Sequence, residues 1–402
     1  MKTMVRQGHP LRIALVSPYD FAVPGGVTTH IVNLSERFRD RGHSVHVLAP
    51  SSTEEPEDTV EDFHRVGKTI VPLRTNASIA RVSFSLTLGP QVKRILAEND
   101  FDIIHLHEPA APLLPWYVLW HSRCVNVATF HASRETRTVY RTYRPFIKRL
   151  FKRLDGKIAV SQTARNFVWG TFKGDYRIIP NGIDAEGYGR ELPPFEHLRD
   201  GKFNVLFVGR LEKRKGLPYL MDAMEVVQKL RRDTRLIVVG AFTERQLAKA
   251  QRRVKRCGLE NVLFEGFASE EAKIRYLQSA DLLCAPARGD GRESQGLVLL
   301  EAMAAGTPVV ASDLLGYRTV SPGGSAALYV PPEDPRALAR AIMRLMDYPE
   351  TADRYRMAGS RRALEYSWDV IAEEVMGYYR ELLRRHGSLR PNASMASAET
   401  FV

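Results

Sequence analysis

Apolar residues fall into two alternating kinds of segment along this chain. Short runs rich in β-branched residues predict strands, and longer stretches with helical periodicity, such as His30–Arg41, predict helices. Strand and helix alternate throughout, which is typical of parallel βαβ units. The predicted strands are Arg12–Val16, Ser44–Leu48, Ile103–His105, Val125–Phe130, Lys157–Val160 and Arg177–Ile179, then Asn204–Val208, Leu236–Val239, Val262–Phe264, Leu282–Ala285, Pro308–Ala311 and Ala327–Val330.

The pattern occurs twice, on either side of Asp184–Lys202, a linker rich in glycine, proline and charge. A chain of 402 residues also exceeds what one hydrophobic core usually supports. We therefore expect an α/β fold of two doubly wound, Rossmann-like domains whose carboxyl strand ends face one cleft. The N-terminal domain is predicted over 1–190, completed by a C-terminal helix over 367–385, and the C-terminal domain over 203–366. The tail 386–402 is predicted to be disordered.

Composition narrows the class of protein. Hydrophobic residues make up 44% and charged residues 26%, as in an ordinary soluble globular protein. The three cysteines show no ligand spacing, so neither a disulfide framework nor a zinc site is expected. No stretch approaches the ~18 apolar residues of a membrane span, which favours a cytoplasmic protein. The net charge of +12 favours anionic partners without choosing among them.

Two glycine-containing loops follow predicted strands and could hold an anion. Gly25-Gly26 precedes a helix, where backbone N–H groups can approach a phosphate closely; an ordinary tight turn is the alternative. Arg210 and Lys215 bracket a loop after the first strand of the second half. Two cations at a strand end suit a diphosphate, and a solvated basic loop is the alternative.

A third loop carries two carboxylates, Glu293 and Glu301, around an apolar segment. Ser294-Gln295-Gly296 can offer backbone donors at the start of a helix, and Leu297 and Val298 begin an apolar run that predicts burial. A buried Glu301 needs hydrogen-bond partners, which a ribose diol would supply. The alternative is a core helix with one solvated and one salt-bridged acid.

Taken together, these motifs resemble family 4 of the glycosyltransferases, with the two-domain GT-B fold, over about 11–383. The carriers of the resemblance are Pro24-Gly-Gly-Val27, Phe130-His-Ala-Ser133, Pro180-Asn-Gly-Ile-Asp184, Val208-Gly-Arg210 with Lys215-Gly216, and Glu293 to Glu301 followed by Ala-Met-Ala-Ala-Gly-Thr-Pro308. Glutamates eight residues apart are common, whereas their combination with the upstream Gly-Arg and Lys-Gly pairs is specific.

The resemblance implies a nucleotide-sugar donor site. Gly26 would lie against the diphosphate and the transferred sugar, while Arg210 and Lys215 would neutralise the leaving group. Glu301 would bind the ribose hydroxyls and Glu293 those of the sugar. Further contacts would come from the backbone of Ser294, Gln295, Gly296, Leu297 and Val298, from His131 as a positioning residue beside the sugar, and from Phe267 beside the base. Gln295 stands where the family most often has phenylalanine, at a position expected to act mostly through its backbone.

Such an enzyme would retain the anomeric configuration without a strong general base, using fixed cations on the departing diphosphate. No metal is expected. Asp100-Phe101-Asp102 matches a metal-binding string but precedes its strand, at the edge opposite the predicted cleft. His105 and His107 could share one face of a strand, yet the sequence shows no third ligand.

The acceptor is suggested by a closer resemblance to phosphatidylinositol mannosyltransferases in 16–27, 76–90 and 105–109. It implies that Asn76 and Arg81, with Tyr19 nearby, meet a head-group phosphate. The predicted reaction is transfer of mannose from GDP-mannose to phosphatidylinositol. A UDP-hexose donor with a soluble or other glycolipid acceptor is the alternative, and a sugar-nucleotide 2-epimerase is a second.

A basic segment, 137–153, contains seven cations and no acid. On a helical wheel its apolar residues share one face, so it could lie on an anionic membrane; alternatively that face packs on the domain and the cations are solvated. A nucleic-acid binder would explain the charge but not the three loop motifs, so no nucleic acid is expected.

Overall fold

The computed structural model describes residues 9–53, 61–74, 79–85, 87–131, 145–289 and 293–389. The chain divides into two compact units. Unit 1 comprises Met1–Val160, Ala164–Ile179 and Asp369–Val402, and unit 2 comprises Ser161–Thr163 and Pro180–Trp368. Each unit is built on its own parallel sheet.

Unit 1 contains a seven-stranded sheet in the order β3-β2-β1-β6-β7-β8-β9, with every neighbouring pair parallel. Its central strands are buried apolar runs, as expected for a sheet covered on both faces. The strands are β1 Arg12–Val16, β2 Ser44–Ala49, β3 Phe63–Arg65, β6 Ile103–His107, β7 Val125–Phe130, β8 Gly156–Ala159 and β9 Arg177–Ile178.

A separate antiparallel hairpin, β4 Ile70–Arg74 with β5 Ile79–Ser83, adjoins this sheet. The sequence pattern does not predict this hairpin. Its strands are short, and the alternation of strand and helix masks them. The helices of unit 1 are α1 Gly26–Asp40, α2 Leu88–Glu98, α3 Leu114–His121, α4 over residues 145–151, α5 Gln162–Trp169 and, at the end of the chain, α14 Trp368–Leu389.

Unit 2 contains a six-stranded parallel sheet in the order β12-β11-β10-β13-β14-β15. The strands are β10 Phe203–Val208, β11 Thr234–Val239, β12 Val262–Gly266, β13 Leu282–Ala285, β14 Val309–Ser312 and β15 Leu328–Val330. The helices are α6 Ala185–Gly189, α7 Leu217–Leu230, α8 Glu244–Cys257, α9 Glu270–Ser279, α10 Leu297–Ala304, α11 Leu315–Val320, α12 Pro335–Asp347 and α13 Pro349–Leu364.

The fold class predicted from the sequence is confirmed, since both units are doubly wound parallel sheets covered by helices. All the predicted strands form, with ends shifted by at most two residues. The division between units lies at Ile179 and Pro180 rather than at residue 190, because Ile183 and Tyr188 pack into the core of unit 2.

The C-terminal helix also differs from its expected bounds, because α14 continues to Leu389 rather than ending at residue 385. Its Tyr379 is fully buried in unit 1, and Leu382 packs where a Cβ on Gly156 would otherwise lie. Residues 390–402 of the predicted disordered tail lie outside the described residues. Among the described helices, none combines the length and apolar character needed to cross a membrane.

Candidate functional site

The strand order of unit 2 identifies where a ligand should bind. β10 and β13 are neighbours in the sheet. The strand that follows β10 in sequence, β11, lies on one side of this pair, and the strand that follows β13, β14, lies on the other side. In open α/β sheets, ligands bind at the carboxyl ends of the strands beside this kind of reversal. Arg210 and Lys215 lie in the loop 209–216 that follows β10, and Glu293 and Glu301 lie in the segment 293–301 that follows β13.

Gly216 allows these two loops to touch. Its φ of +75° is left-handed, and a Cβ placed on it would lie 1.7 Å from the carbonyl oxygen of Pro286. Next to this contact, the backbone N–H of Arg288 donates to the carbonyl oxygen of Arg214 at 2.9 Å. The loop carrying Lys215 is therefore fixed against the loop that leads to Glu293.

The result is a compact cluster of charges around Glu293, whose side chain is only 9% exposed. Arg214 Nη1 donates to Glu293 Oε1 at 2.6 Å, and Lys215 Nζ lies 3.0 Å from the same carboxylate. Glu212 accepts from Arg214 Nε at 2.6 Å and lies 3.0 Å from Arg210 Nη1. Three cations face two carboxylates, so the cluster keeps a positive excess suited to an anion.

Sequence reasoning missed Arg214 and Glu212 in this cluster. Both lie inside the loop that Arg210 and Lys215 bracket. A loop has no periodicity, so the sequence does not indicate which way their side chains extend. The short helical turn Lys213–Lys215 points Arg214 and Lys215 toward Glu293. Arg210, in contrast, is 52% exposed and stays accessible to a ligand.

Glu301 lies on α10 with its side chain 18% exposed. Burial raises the pKa of this carboxyl above its ordinary value, and the nearby ammonium of Lys273 opposes the rise. Lys273 Nζ is 3.3 Å from Glu301 and 3.1 Å from Glu270, to which the hydroxyl of Tyr188 also donates. Glu301 therefore has a protein partner, and both glutamates are paired rather than one being solvated.

The turn between the two glutamates ends in Gly296, which caps α10 with a φ of +83°. A Cβ there would lie 2.5 Å from the ring of Tyr317, so only glycine fits. α10 begins at Leu297, and the first backbone N–H groups of a helix have no intrahelical acceptor. The backbone donors of Leu297 and Val298 therefore lie in the first turn of α10, the kind of position at which a helix can bind a phosphate, and Gly296 comes directly before them.

Gln295 also makes contacts through its side chain, although this position was expected to act mostly through its backbone. Its side chain is buried, with 2% exposed, and binds Asn181 through three hydrogen bonds. Gln295 Oε1 accepts from the backbone N–H of Asn181 at 2.8 Å and from Nδ2 at 2.9 Å. Gln295 Nε2 donates to the carbonyl oxygen of Asn181 at 3.0 Å. The amide ties the turn to the Pro180–Asp184 segment, which phenylalanine at this position could not do.

Phe267, expected beside a base, follows β12 and leaves 83% of its surface exposed. An exposed aromatic ring at a strand's carboxyl end offers a face for stacking.

Unit 1 shows the same kind of reversal between β1 and β6. The loop after β1 leads to Gly26, where α1 begins, and His30 lies within that helix. β6 ends at His107, and His131 directly follows the neighbouring strand β7. The predicted Gly26 and His131 therefore follow the carboxyl ends of strands in their sheet.

His131 is held by two groups at this edge. Its backbone N–H donates to Glu108 Oε1 at 2.6 Å, and its Nε2 lies 3.0 Å from Nδ1 of His107. His107 is fully buried, and burial together with the neighbouring imidazoles lowers its pKa well below the ordinary value. His107 is thus neutral near pH 7 and can orient the ring of His131.

The sequence suggested His105 and His107 as a pair without a third ligand, and the structure groups the imidazoles differently. His105 bonds Tyr379 at 2.5 Å and Thr129 at 2.6 Å. Instead, the ring nitrogens of His30, His107 and His131 lie within 4.8 Å of one another. Three imidazoles are a ligand set that suits zinc or a similar ion, so these residues are the ones in the described chain that could hold a metal.

Tyr19 and Arg81, expected at an acceptor head group, are brought together by the β4–β5 hairpin. Tyr19 forms a β-bridge with Val82, and the backbone N–H of Asp20 donates to the carbonyl oxygen of Arg81 at 2.8 Å. Arg81 is exposed. Asn76 lies outside the described residues.

The basic segment 137–153 is described from residue 145 onward, within α4. Ile147, Leu150 and Phe151 on its apolar face are buried in the core of unit 1. Lys148 and Arg149 on the other face are exposed. In the described part of this segment, the apolar face therefore packs on the domain and the cations are exposed. This buried face is not available to a membrane.

Comparisons with known proteins identify the family of this chain. Residues 190–362 match the family model of glycosyl transferases group 1, and residues 24–186 match that of glycosyltransferase family 4. A phosphatidyl-myo-inositol mannosyltransferase of Mycobacterium leprae is 38% identical over 92% of this chain and 96% of its own. A protein of the same name from Propionibacterium freudenreichii is 32% identical over 92% of this chain and 94% of its own.

Solved structures show the same fold at lower identity. A glycosyltransferase of Rickettsia africae superposes with a TM-score of 0.76 at 16% identity, covering 93% of this chain and 99% of its own. An Anabaena protein in complex with UDP gives a TM-score of 0.75 at 20% identity, covering 92% of this chain and 100% of its own. Both sheets, their loop motifs and relatives above 30% identity along nearly the whole length lead to one assignment: this chain belongs to family 4 of the glycosyltransferases and has the GT-B fold.

Proposed function

We propose that this enzyme transfers mannose from GDP-mannose to a hydroxyl of phosphatidylinositol, with retention of the anomeric configuration, on the cytoplasmic face of a membrane. The observation that carries the proposal is the charge cluster at the strand reversal of unit 2, in which Arg214 and Lys215 pair with Glu293 and Arg210 pairs with Glu212. In a family 4 glycosyltransferase, such a cluster suits the diphosphate and sugar of a donor. The names of the most similar relatives supply the choice of mannose and phosphatidylinositol.

The donor would occupy the loops of unit 2. Arg210 is exposed and can reach a phosphate, and Lys215 can share its ammonium between Glu293 and a diphosphate oxygen. Arg214 donates to Oε1 of Glu293 and Lys215 to Oε2, and each carboxylate oxygen has a second lone pair with which it would accept a hydroxyl of the sugar. Glu301 would accept the ribose hydroxyls, and Phe267 would stack on the base.

Chemistry at this site needs charge stabilisation above all. The bond between the anomeric carbon and the diphosphate oxygen breaks, negative charge builds on that oxygen, and Arg210 and Lys215 stabilise it. The acceptor hydroxyl forms the new bond on the same face, and its proton passes to the departing diphosphate. No strong base is then required, and no step requires a metal.

His131 would position the sugar rather than remove a proton. His107 and Glu108 fix its ring and backbone, which is the arrangement expected of a group that must be held in one orientation. Tyr19, Arg81 and Asn76 would contact the acceptor phosphate from unit 1, and Gly26 would lie against the donor.

A transfer assay tests the proposal. Purified enzyme is incubated with radiolabelled GDP-mannose or UDP-glucose and vesicles containing phosphatidylinositol, and lipid products are separated and counted. We expect labelled lipid from GDP-mannose alone, with an α-linked product by NMR and no loss of rate in EDTA. Labelled lipid from UDP-glucose instead would replace the proposal with a UDP-hexose transferase, for which the UDP-bound structural relative is the supporting observation.

A further inference from the structure

We propose that an aromatic groove on unit 1 is the surface by which this enzyme docks on an anionic phospholipid bilayer. This proposal rests on the proposed lipid acceptor. The apolar face of α4 is buried in unit 1, so a different apolar surface would have to contact the membrane. The groove lies between α3 and the start of α4, with a cavity of about 500 Å³. It is lined by Leu113, Trp116, Tyr117, Trp120, His121 and Phe146.

The groove exists because α3 is apolar on two sides. Leu114, Val118 and Leu119 are buried in the core of unit 1. The opposite side carries large aromatic rings that remain accessible: Trp120 is 57% exposed and Tyr117 38%. Phe146, 43% exposed, lies edge-on to Trp116 with ring centroids 5.5 Å apart. Exposed apolar surface of this kind is costly in water and marks an interaction site.

Its chemistry favours a bilayer interface over an ordinary protein surface. Tryptophan and tyrosine are enriched at membrane interfaces, where one part of the ring system is apolar and the other hydrated. Each exposed cation near an anionic surface also strengthens binding. Residues 109–154 contain nine lysines and arginines and a single carboxylate, Glu135.

Exposed cations lie on the same segment as Phe146. Arg149 is exposed and lies one helical turn beyond Phe146 on α4, and Lys148 and Lys152 are exposed on the same short segment. On the other side, Arg153 Nη2 donates to the carbonyl oxygen of Ser122 at 2.7 Å, which ties the end of α4 to the end of α3. Phe146 and Arg149 thus share one side of α4 with further exposed cations on the same segment, and anionic bilayers bind this combination of an aromatic ring and cations.

The groove also begins near the predicted ligand edge of unit 1. Leu113, which opens its lining, is five residues beyond Glu108, the residue that holds His131. A lipid whose acyl chains lie in the bilayer at this groove would therefore have its head group close to the carboxyl ends of the unit 1 strands.

The test measures vesicle binding of the full-length enzyme by co-sedimentation. Vesicles contain phosphatidylcholine alone or with phosphatidylglycerol, and brominated lipids report on tryptophan by quenching its fluorescence. We expect binding to the anionic vesicles, with quenching that disappears in a Trp116→Phe/Trp120→Phe variant. Trp120→Ala and Phe146→Ser should each weaken binding by about tenfold, the cost of losing one buried large apolar side chain.

Trp169→Ala is the matched control, because Trp169 is 41% exposed on α5 of the same unit. It should bind vesicles as the wild type does. Unchanged binding of both groove variants would overturn the proposal, as would equal binding to vesicles without anionic lipid. A dimer that dissociates in Trp120→Ala but not in Trp169→Ala, seen by light scattering, would identify a second copy as the occupant instead.

The proposed reaction is tested separately with a short-chain phosphatidylinositol kept below its micellar concentration. If docking operates, Trp120→Ala loses turnover on vesicles, and its loss on the short-chain lipid is much smaller. If the wild type transfers mannose to neither substrate yet binds anionic vesicles, the proposed reaction fails and the docking surface stands.

Discussion

Glu293 illustrates how single residues decide the chemistry of this enzyme. A nearly buried carboxylate is stable only when it is paired, and here Arg214 and Lys215 pair with it from one loop. The same pairing orders Lys215 before a donor arrives. The lysine is thus placed for the diphosphate at little further cost in side-chain entropy.

Lys215→Ala should lower kcat/KM for the donor by about 10²–10³-fold, because a fixed charge on the leaving group is lost. Lys213→Ala is the control: Lys213 belongs to the same turn but is exposed and should change kcat/KM less than about twofold. Steady-state kinetics with both variants measure the difference. Equal losses would show that the loop acts only through its total charge.

Gln295 should contribute to stability through its side chain. Gln295→Ala leaves the backbone N–H and C=O of Asn181 without their partners, which should lower the free energy of unfolding by about 1–3 kcal/mol. Asn181→Ala removes the bond that Nδ2 donates to Gln295 and keeps both backbone bonds to Gln295, so it should cost less. Urea unfolding compares the two variants, and a smaller loss for Gln295→Ala than for Asn181→Ala would contradict this role.

Glu301 should make stability depend on pH. Burial raises the pKa of its carboxyl in the folded state, so folding favours the protonated form. The contribution of Glu301 to stability is therefore fully present below its unfolded pKa of about 4.5 and is lost as pH rises toward the raised folded pKa.

Glu301→Gln removes this titration while Lys273 keeps Glu270 as a partner. The variant should gain stability relative to the wild type as pH rises from about 4 to about 7. Chemical denaturation across that range measures the gap, and a gap that narrows as pH rises would show the opposite shift. The same variant should lose affinity for the donor, since an amide accepts fewer hydrogen bonds from a diol than a carboxylate.

At the scale of elements, close approach of two loops builds the donor site. Gly216→Ala should lower the free energy of unfolding by at least about 2 kcal/mol, because left-handed backbone is strained and the methyl group meets the Pro286 carbonyl. Gly201→Ala is the control, since Gly201 has a similar φ of +81° with open space around it. Thermal unfolding should show the larger loss for Gly216→Ala. Equal losses would remove the steric argument.

Much of this element-level arrangement was readable from the sequence. Buried parallel strands are continuous apolar runs, so β1, β7, β10 and β13 were predicted close to their observed bounds. The glycines and charged residues after them marked the ligand loops. The β4–β5 hairpin was missed because short edge strands carry weak patterns, and with it the contact that brings Arg81 to Tyr19.

Side-chain partners were the hardest to predict. Arg214 reaches Glu293 and Lys273 reaches Glu301 across distances in sequence that no periodicity records. The histidine cluster was not predicted for a related reason. Strand alternation correctly put His105 and His107 on one face, but His30 comes from a helix and His131 from the next strand's end. Such contacts depend on tertiary packing.

At the scale of the whole molecule, each unit presents its own predicted ligand residues at a strand reversal. α14 closes unit 1 late in the chain: Tyr379 bonds His105 and Tyr378 accepts from the backbone N–H of Lys157 at 3.2 Å. Unit 1 therefore needs both ends of the sequence, and the segment between them forms unit 2.

Donor binding tests the central claim most directly, and a thermal-shift panel of GDP-mannose, GDP, UDP-glucose and UDP measures it on wild type and Glu301→Ala. A ligand at 100 times its Kd stabilises the folded state by about 2.7 kcal/mol. We predict a clear rise in Tm with GDP-mannose and GDP that is absent in Glu301→Ala. No rise with any nucleotide, or an equal rise in the variant, would contradict a donor site built on Glu293 and Glu301.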